Sequence, residues 1–452
     1  MPRHSGRHQA KRAMSQPSDD HLPPSVMPTE DGRLAFAPHA ERDAVLDELH
    51  ARPFEPIRPP SRAIRFAFLT DLAQMTADAG ALRRFCADHH LGELPAGAKH
   101  QRIAFPGAVL RWEQHSEFTT YTWILDGADE TAPHLPAVVA SAMTRLGQPG
   151  PHLVSIDLWL NAPDPARDIT RSLDPASLAA SQVLGGHATI ATDFKADADG
   201  FVRIRIEDRG LTPIEAGGLV LRLLEIETYR CFALLGLPLS RRITPTVRDA
   251  ENRLTGIMNV MSASSGLDTN RELLDEITSL AARIEAEAAT ANYRFAASAA
   301  YDGIVQQRLE VIGERSFGGW PTLAAFLARR LNPAMRTCQT LNARLLDLNN
   351  KLTRAANLLR TRIDVEIEQQ NRDLLAAMSE RTRLQLRLQQ TVEGLSVAAI
   401  SYYVASLLHY LFESASHYWP IDATVATGIS IPFVVIVLAI LLSRIKRGHG
   451  KA

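Results

Sequence analysis

Two uncharged runs near the end of the chain limit its fold more than any other feature. Leu395 to Phe412 is eighteen residues without a formal charge, and Val425 to Leu442, "VATGISIPFVVIVLAILL", is eighteen more. As helices each spans about 27 Å, enough for a thin hydrocarbon core. Pro432 is tolerated there because neighbouring helices re-satisfy the carbonyl it frees. The alternative is a buried hairpin of a soluble domain. Arg381, Arg383 and Arg387 precede the first run, and Arg444, Lys446, Arg447 and Lys451 follow the second. The loop between them, "SASHYWPIDA", has no Lys or Arg. Positive-inside logic then places both chain ends in the cytoplasm of an inner-membrane, multi-pass protein, with Tyr418 and Trp419 at the outer interface.

The first run also carries polar groups. Tyr402, Ser406, His409 and Glu413 follow steps of four, three and four, so they share one helix face. A polar stripe in lipid is costly unless it meets protein or water. It either glues helices together or lines an ion path.

Upstream, the arm that leads into the membrane is helical. Thr269 and Glu272 in "TNRE" read as a capping box opening a helix from Asn270 to about Ile312. "SFGGWP" breaks that helix, Pro321 opens a short one, and Pro333 opens a long one with no strong stop before Gly394. Leu341, Leu352, Ile363 and Leu374 recur every eleven residues, as do Leu345, Ala356, Ile367 and Met378. That period gives a coiled-coil-like arm with little or right-handed supercoil. One apolar stripe needs a partner, either the helix from Asn270 folded back or copies of the chain in a homo-oligomer.

The region before the arm mixes strands and helices. "RAIRFAFLTD", "RIAFPGAVLRWEQH", "FTTYTWIL", "LVSIDLWL", "HATIATDF" and "FVRIRIED" read as strands. "DFKADADGF" has Lys195 and Ile206 where a calcium loop needs ligands, so it reads as a hairpin turn. Thr212, Pro213 and Glu215 cap a largely apolar helix that stops at Gly236. The fold class is therefore an α+β cytosolic domain, a long helical arm and a two-helix transmembrane hairpin. Its divisions are a disordered leader at 1–32, with Met14 and Met27 as alternative starts, the domain at 33–245, the arm at 246–393, the membrane pair at 394–443 and a basic tail at 444–452.

Charge excludes some functions. With 49 basic against 50 acidic residues there is no global field to recruit nucleic acid. Cys86, Cys231 and Cys338 form no CxxC pair and read as buried thiols of a reducing compartment. No phosphate loop, nucleophile elbow or zinc spacing is present, so the expectation is no enzyme and no cofactor. Two soluble motifs remain. In "LHARPFEPIRPP", His50, Arg52 and Glu55 either bind an anion or hold a subunit contact, or the stretch is a rigid connector. In "RWEQHSEFTTYTW", Glu113, His115 and Glu117 fall two apart on one strand face, which is either a metal face or the solvent side of a sheet with Trp112 and Phe118 opposite.

"ELHARPFEPIRPPSRAI", "RWEQHSEFTTYT" and "TVEGLSVAAISYYV" resemble the hallmark stretches of a bacterial family of predicted membrane-anchored proteins of unknown function, from about Phe36 to Arg447. The resemblance implies a membrane-bound protein and adds no site residues. The layout is also similar to that of the CorA-type magnesium transporters, which would make a divalent cation the partner beside the lipid bilayer. Those transporters carry Gly-Met-Asn at the outer end of the first membrane helix. Here that place reads Tyr410-Leu411-Phe412-Glu413, and Met258-Asn259 lies in the arm.

Overall fold

The computed structural model describes residues 27–28, 34–36, 38–42, 45–46, 55–127, 135–165, 168–263, 266–415 and 422–449. The chain groups into two compact units: Met1–Arg242 with Thr290–Asn342, and Ile243–Ala289 with Ala343–Ala452.

The first unit is built on β-strands. Two short strands, β1 (Met27–Pro28) and β2 (Leu34–Ala35), pair with each other. The main sheet comprises β3 (Ser61–Leu69), β4 (His100–Phe105), β5 (Ala108–Gln114), β6 (Phe118–Asp126), β7 (His152–Asn161), β8 (Ala179–Val183), β9 (Ala188–Ala196), β10 (Val202–Asp208) and β11 (Arg315–Ser316). Their order is β11-β8-β9-β10-β7-β3-β6-β5-β4. Every neighbouring pair is antiparallel except β7 and β10, which are parallel. The stretch "RIAFPGAVLRWEQH" is two strands, because Gly107 takes φ +71° and folds β4 onto β5. "DFKADADGF" is a turn: one Asp197 carboxylate oxygen accepts the amides of Asp199 and Phe201, each at 3.0 Å.

Alternation along the strands feeds two cores. Ile64 and Phe68 of β3 pack with α1 (Leu72–Asp88) and α2 (Ala137–Leu146) on one face. Ala63 and Ala67 pack with α3 (Pro213–Leu234) on the other. The predicted cap of α3 is present, with Thr212 and Glu215 bonding each other's backbone amides. Gly236 does not end the helical run. It opens α4 (Gly236–Ala263) after a break at Leu235. A Cβ at Gly236 would stand 2.8 Å from Ser298 Oγ and 3.0 Å from Cys338 Sγ, so any larger residue must displace the Ser298 side chain at this close crossing.

The remaining helices are α5 (Leu267–Ile312), α6 (Leu323–Ala415) and α7 (Ala423–His449). The sequence reading needs three corrections here. Helix α5 starts three residues before Asn270, and Thr269 and Glu272 lie inside it rather than capping it. Pro321 and Pro333 do not open separate helices. Thr322 Oγ1 accepts the Ala325 amide, and Pro333 lies inside the continuous α6. Residues 290–342, assigned to the arm, belong to the sheet unit because Tyr301, Val305, Leu323 and Phe326 pack into its core.

In the second unit three helices bundle. Helix α4 runs parallel to α6: Glu251 accepts from Arg344 at 2.6 Å, and the Met261 carbonyl accepts from Arg362 at 2.5 Å. Helix α5 runs antiparallel to it, joining Glu285 to Asn349 at 2.7 Å and Glu366 to Asn270 at 3.2 Å. Leu345, Leu348, Leu352 and Leu359 are buried in this bundle with Leu254, Ile277 and Ile284. The eleven-residue stripe thus has its partner through its first half. Beyond residue 366 the same helix continues through Gly394 with Leu374 and Met378 exposed.

Candidate membrane-spanning hairpin

Among the described residues two helices are long and apolar enough to cross a membrane, and none of either apolar window is buried inside the protein. They are the final part of α6 and Ala423–Leu441 of α7. Side chains such as Leu395, Ile429 and Phe433 are at least 73% exposed, as lipid-facing groups are and water-facing ones rarely are.

One hydrogen bond sets how the two helices meet. His409 Nδ1 lies 3.0 Å from Thr427 Oγ1, whose own hydroxyl donates to the Ala423 carbonyl at 2.7 Å. A hydroxyl has one proton. With that proton on Ala423, the His409 nitrogen is the donor to Thr427. Around this bond the less exposed positions recur at helical spacing: Val397, Ser401, Ala405, Leu408 and Phe412 on α6, and Ala426, Thr427, Ser430, Val434 and Leu438 on α7. Ser, Ala and Thr in such a seam let two backbones approach closely.

The seam is turned by about one residue from the predicted polar stripe. His409 lies in it and Ser406 at its edge, both half-buried. Tyr402 is 71% exposed and Glu413 is also exposed, so neither is covered by the hairpin. The small residues Ser401 and Ala405, with Thr427 and Ser430 opposite, were the available signal for the seam.

The soluble candidates are distributed through the sheet unit. His50 and Arg52 lie outside the described residues. Glu55 accepts from Arg102 Nε at 2.5 Å, and its main-chain carbonyl presses on α3, where a Cβ at Gly217 would come within 1.8 Å of it. Glu113, His115 and Glu117 do not share a strand face. Strand β5 ends at Gln114, and the His115 amide bonds the Phe118 carbonyl to close the turn into β6. Nor do the two carboxylates face solvent. Buried Glu113 meets Arg111 at 3.1 Å and Arg65 at 3.7 Å, while buried Glu117 accepts from Arg294 and, at 3.2 Å, from Tyr293. His115 stacks on Phe118 with centroids 4.1 Å apart. Among the described residues no group of three or more His, Cys, Asp or Glu has an arrangement that could hold a metal.

Sequence reasoning missed the carboxylates that hold the sheet, Asp78 buried and Asp157 half-buried. Asp78 of α1 accepts from Trp112 Nε1 at 2.7 Å and from the Tyr121 hydroxyl, and burial holds its carboxyl above the usual range. Asp157 accepts from Arg62 at 2.7 Å and Trp159 at 3.0 Å. It also missed a cavity of about 410 Å³ at the carboxyl ends of β7 and β10, lined by Asn161, Asp164, Asp168, Arg171, Arg205 and Glu207 among others. These groups meet through non-local strand pairing, which has no local signature. The three cysteines are free thiols, and burial followed by the Glu227 charge pushes Cys231 up to about 12.

Fold and hairpin together define a class: a mixed-sheet protein continued by long helices and closed by an apolar helical pair. Within that class the chain belongs to the family described as "Protein of unknown function (DUF3422)", whose model matches residues 37–449. No curated protein matches it, and no solved structure does either. The likeness of layout to the CorA-type transporters therefore gains no support from them.

Proposed function

We propose that the protein is a non-catalytic scaffold or sensor anchored in the inner membrane by residues 394–443, with its bulk and both ends in the cytoplasm. Copies of it assemble through the helical arm. The observation that carries this reading is the pair of apolar helices that meet each other at His409 and Thr427 and leave the rest of their surface exposed. The arginines before the pair and the basic tail after it set its orientation. Washing membranes with alkaline carbonate tests the anchor. The full chain stays in the pellet, and its release into the supernatant removes the reading.

A second reading is a CorA-like homo-oligomeric ion channel or transporter that lacks the Gly-Met-Asn signature. It is favoured by Tyr402 and Glu413, which the hairpin leaves exposed on α6. Divalent-cation flux into proteoliposomes, lost in Glu413→Ala, is its expected result. Absence of flux under every gradient rejects it.

A further inference from the structure

The stretch of α6 between the bundle and the membrane segment has an unusual surface. The α4–α5 turn ends its cover at residue 366, where Asn270 meets Glu366, yet the helix continues unbroken to Leu395 and beyond. This is about 40 Å of single helix. A lone helix in water is stable only if its surface is polar. This one exposes Leu375, Leu384 and Leu386 on other parts of its surface, together with a group of four, Leu374 at 62%, Met378 at 58%, Leu388 at 66% and Val392 at 57%. At 100° per residue these four fall within a band on one face, in line with Ile363 and Ile367, and they continue the stripe that Leu352 and Leu359 bury in the bundle. Six of the seven charged residues between 367 and 392 lie off that band, and Arg381 alone lies on it.

From this surface we infer that residues 363–392 of α6 pack against the same residues of a second copy of this chain, parallel and in register. The inference rests on the anchored reading given above and names the partner of the arm. Three observations select that occupant. The band is continuous with an interface already formed inside the copy, so the same apolar chemistry suits its extension. It lies within one rigid helix between the bundle and the membrane segment, which fixes its height over the bilayer. A second anchored copy presents the same band at the same height and in the same direction with no further ordering. The segment holds five acids and four bases, and of these only Arg381 on the band meets its own counterpart, so two copies carry little mutual repulsion. The eleven-residue repeat keeps such helices nearly straight, and Asn371 and Gln385 on the band supply polar layers that fix register.

Single cysteines introduced into the full-length chain and treated in native membranes with a short bismaleimide test the arrangement. Leu374→Cys and Met378→Cys join to their own counterparts at least tenfold more than Arg372→Cys and Arg383→Cys on the opposite face, over the background of the three natural thiols. Equal joining on both faces, or none, overturns the proposal. So does a Leu374→Asp, Met378→Asp double variant whose detergent-solubilised mass equals that of the unaltered protein, since a drop to the single-chain mass is expected. These positions are exposed in the single copy, so the substitutions leave its folding intact. Recovery of the chain in the soluble fraction overturns the anchored reading itself, and the parallel arrangement with it.

Discussion

Asp78 shows how the sheet unit uses a buried carboxylate without chemistry. It draws Trp112 of β5 and Tyr121 of β6 onto α1, so one side chain ties two strands to the helix that covers them. Asp78→Ala leaves the Trp112 N–H and the Tyr121 O–H without their acceptor in the core. A loss of about 2–4 kcal/mol in denaturant unfolding is expected. The pH dependence has a definite sign. Burial raises the folded carboxyl above its unfolded value, so the folded state binds the proton more tightly. The stabilisation is complete below the unfolded pKa and is lost as pH rises through the folded one. The stability gap between wild type and Asp78→Ala therefore widens as pH falls from neutrality toward 4. Glu113, His115 and Glu117 look from sequence like ligands because polar groups recurring two apart suggest a strand face. Arg65 and Arg294, remote in sequence, and Arg111, two residues before Glu113, are what the fold sets against the two carboxylates.

Helix α6 begins where its free amides are met. Glu314 Oε1 and Oε2 accept the amides of Leu323 and Ala324 at 2.9 and 2.8 Å, and Oε1 also accepts from Ser181 of β8 at 2.7 Å. Glu314→Ala removes the cap and the link to the sheet together, and a loss of about 1–3 kcal/mol in thermal or denaturant unfolding is the expected outcome. Elements with strong local signals were legible in the sequence: the alternating strands, the Thr212 cap and the helix that passes Gly394. Helices α1 and α2 were not, because "LAQMTADAGALRRFCAD" mixes small and charged residues on every face and α2 has no side-chain cap. Strand β8, "AASQV", is too short and too rich in small residues to stand out. The β7–β10 pairing joins strands forty residues apart, a choice made by packing and not by either strand alone. In the apolar pair the polar residues drew attention, although half of the seam is made by the small ones beside them.

For the whole molecule the arm matters most, because α6 is one helix from Leu323 to Ala415. No break along it can absorb a twist. Angular phase is therefore handed from bundle to apolar pair without slippage, like the setting of two keys on one shaft. Adding five residues after Val392 rotates everything downstream by about 140°, whereas adding eleven restores the setting to within about 20°. The longer insertion should keep the Met378→Cys junction between copies and the shorter one should lose most of it, as gels of the treated membranes will show. Length along this shaft is negotiable, and orientation around it is not.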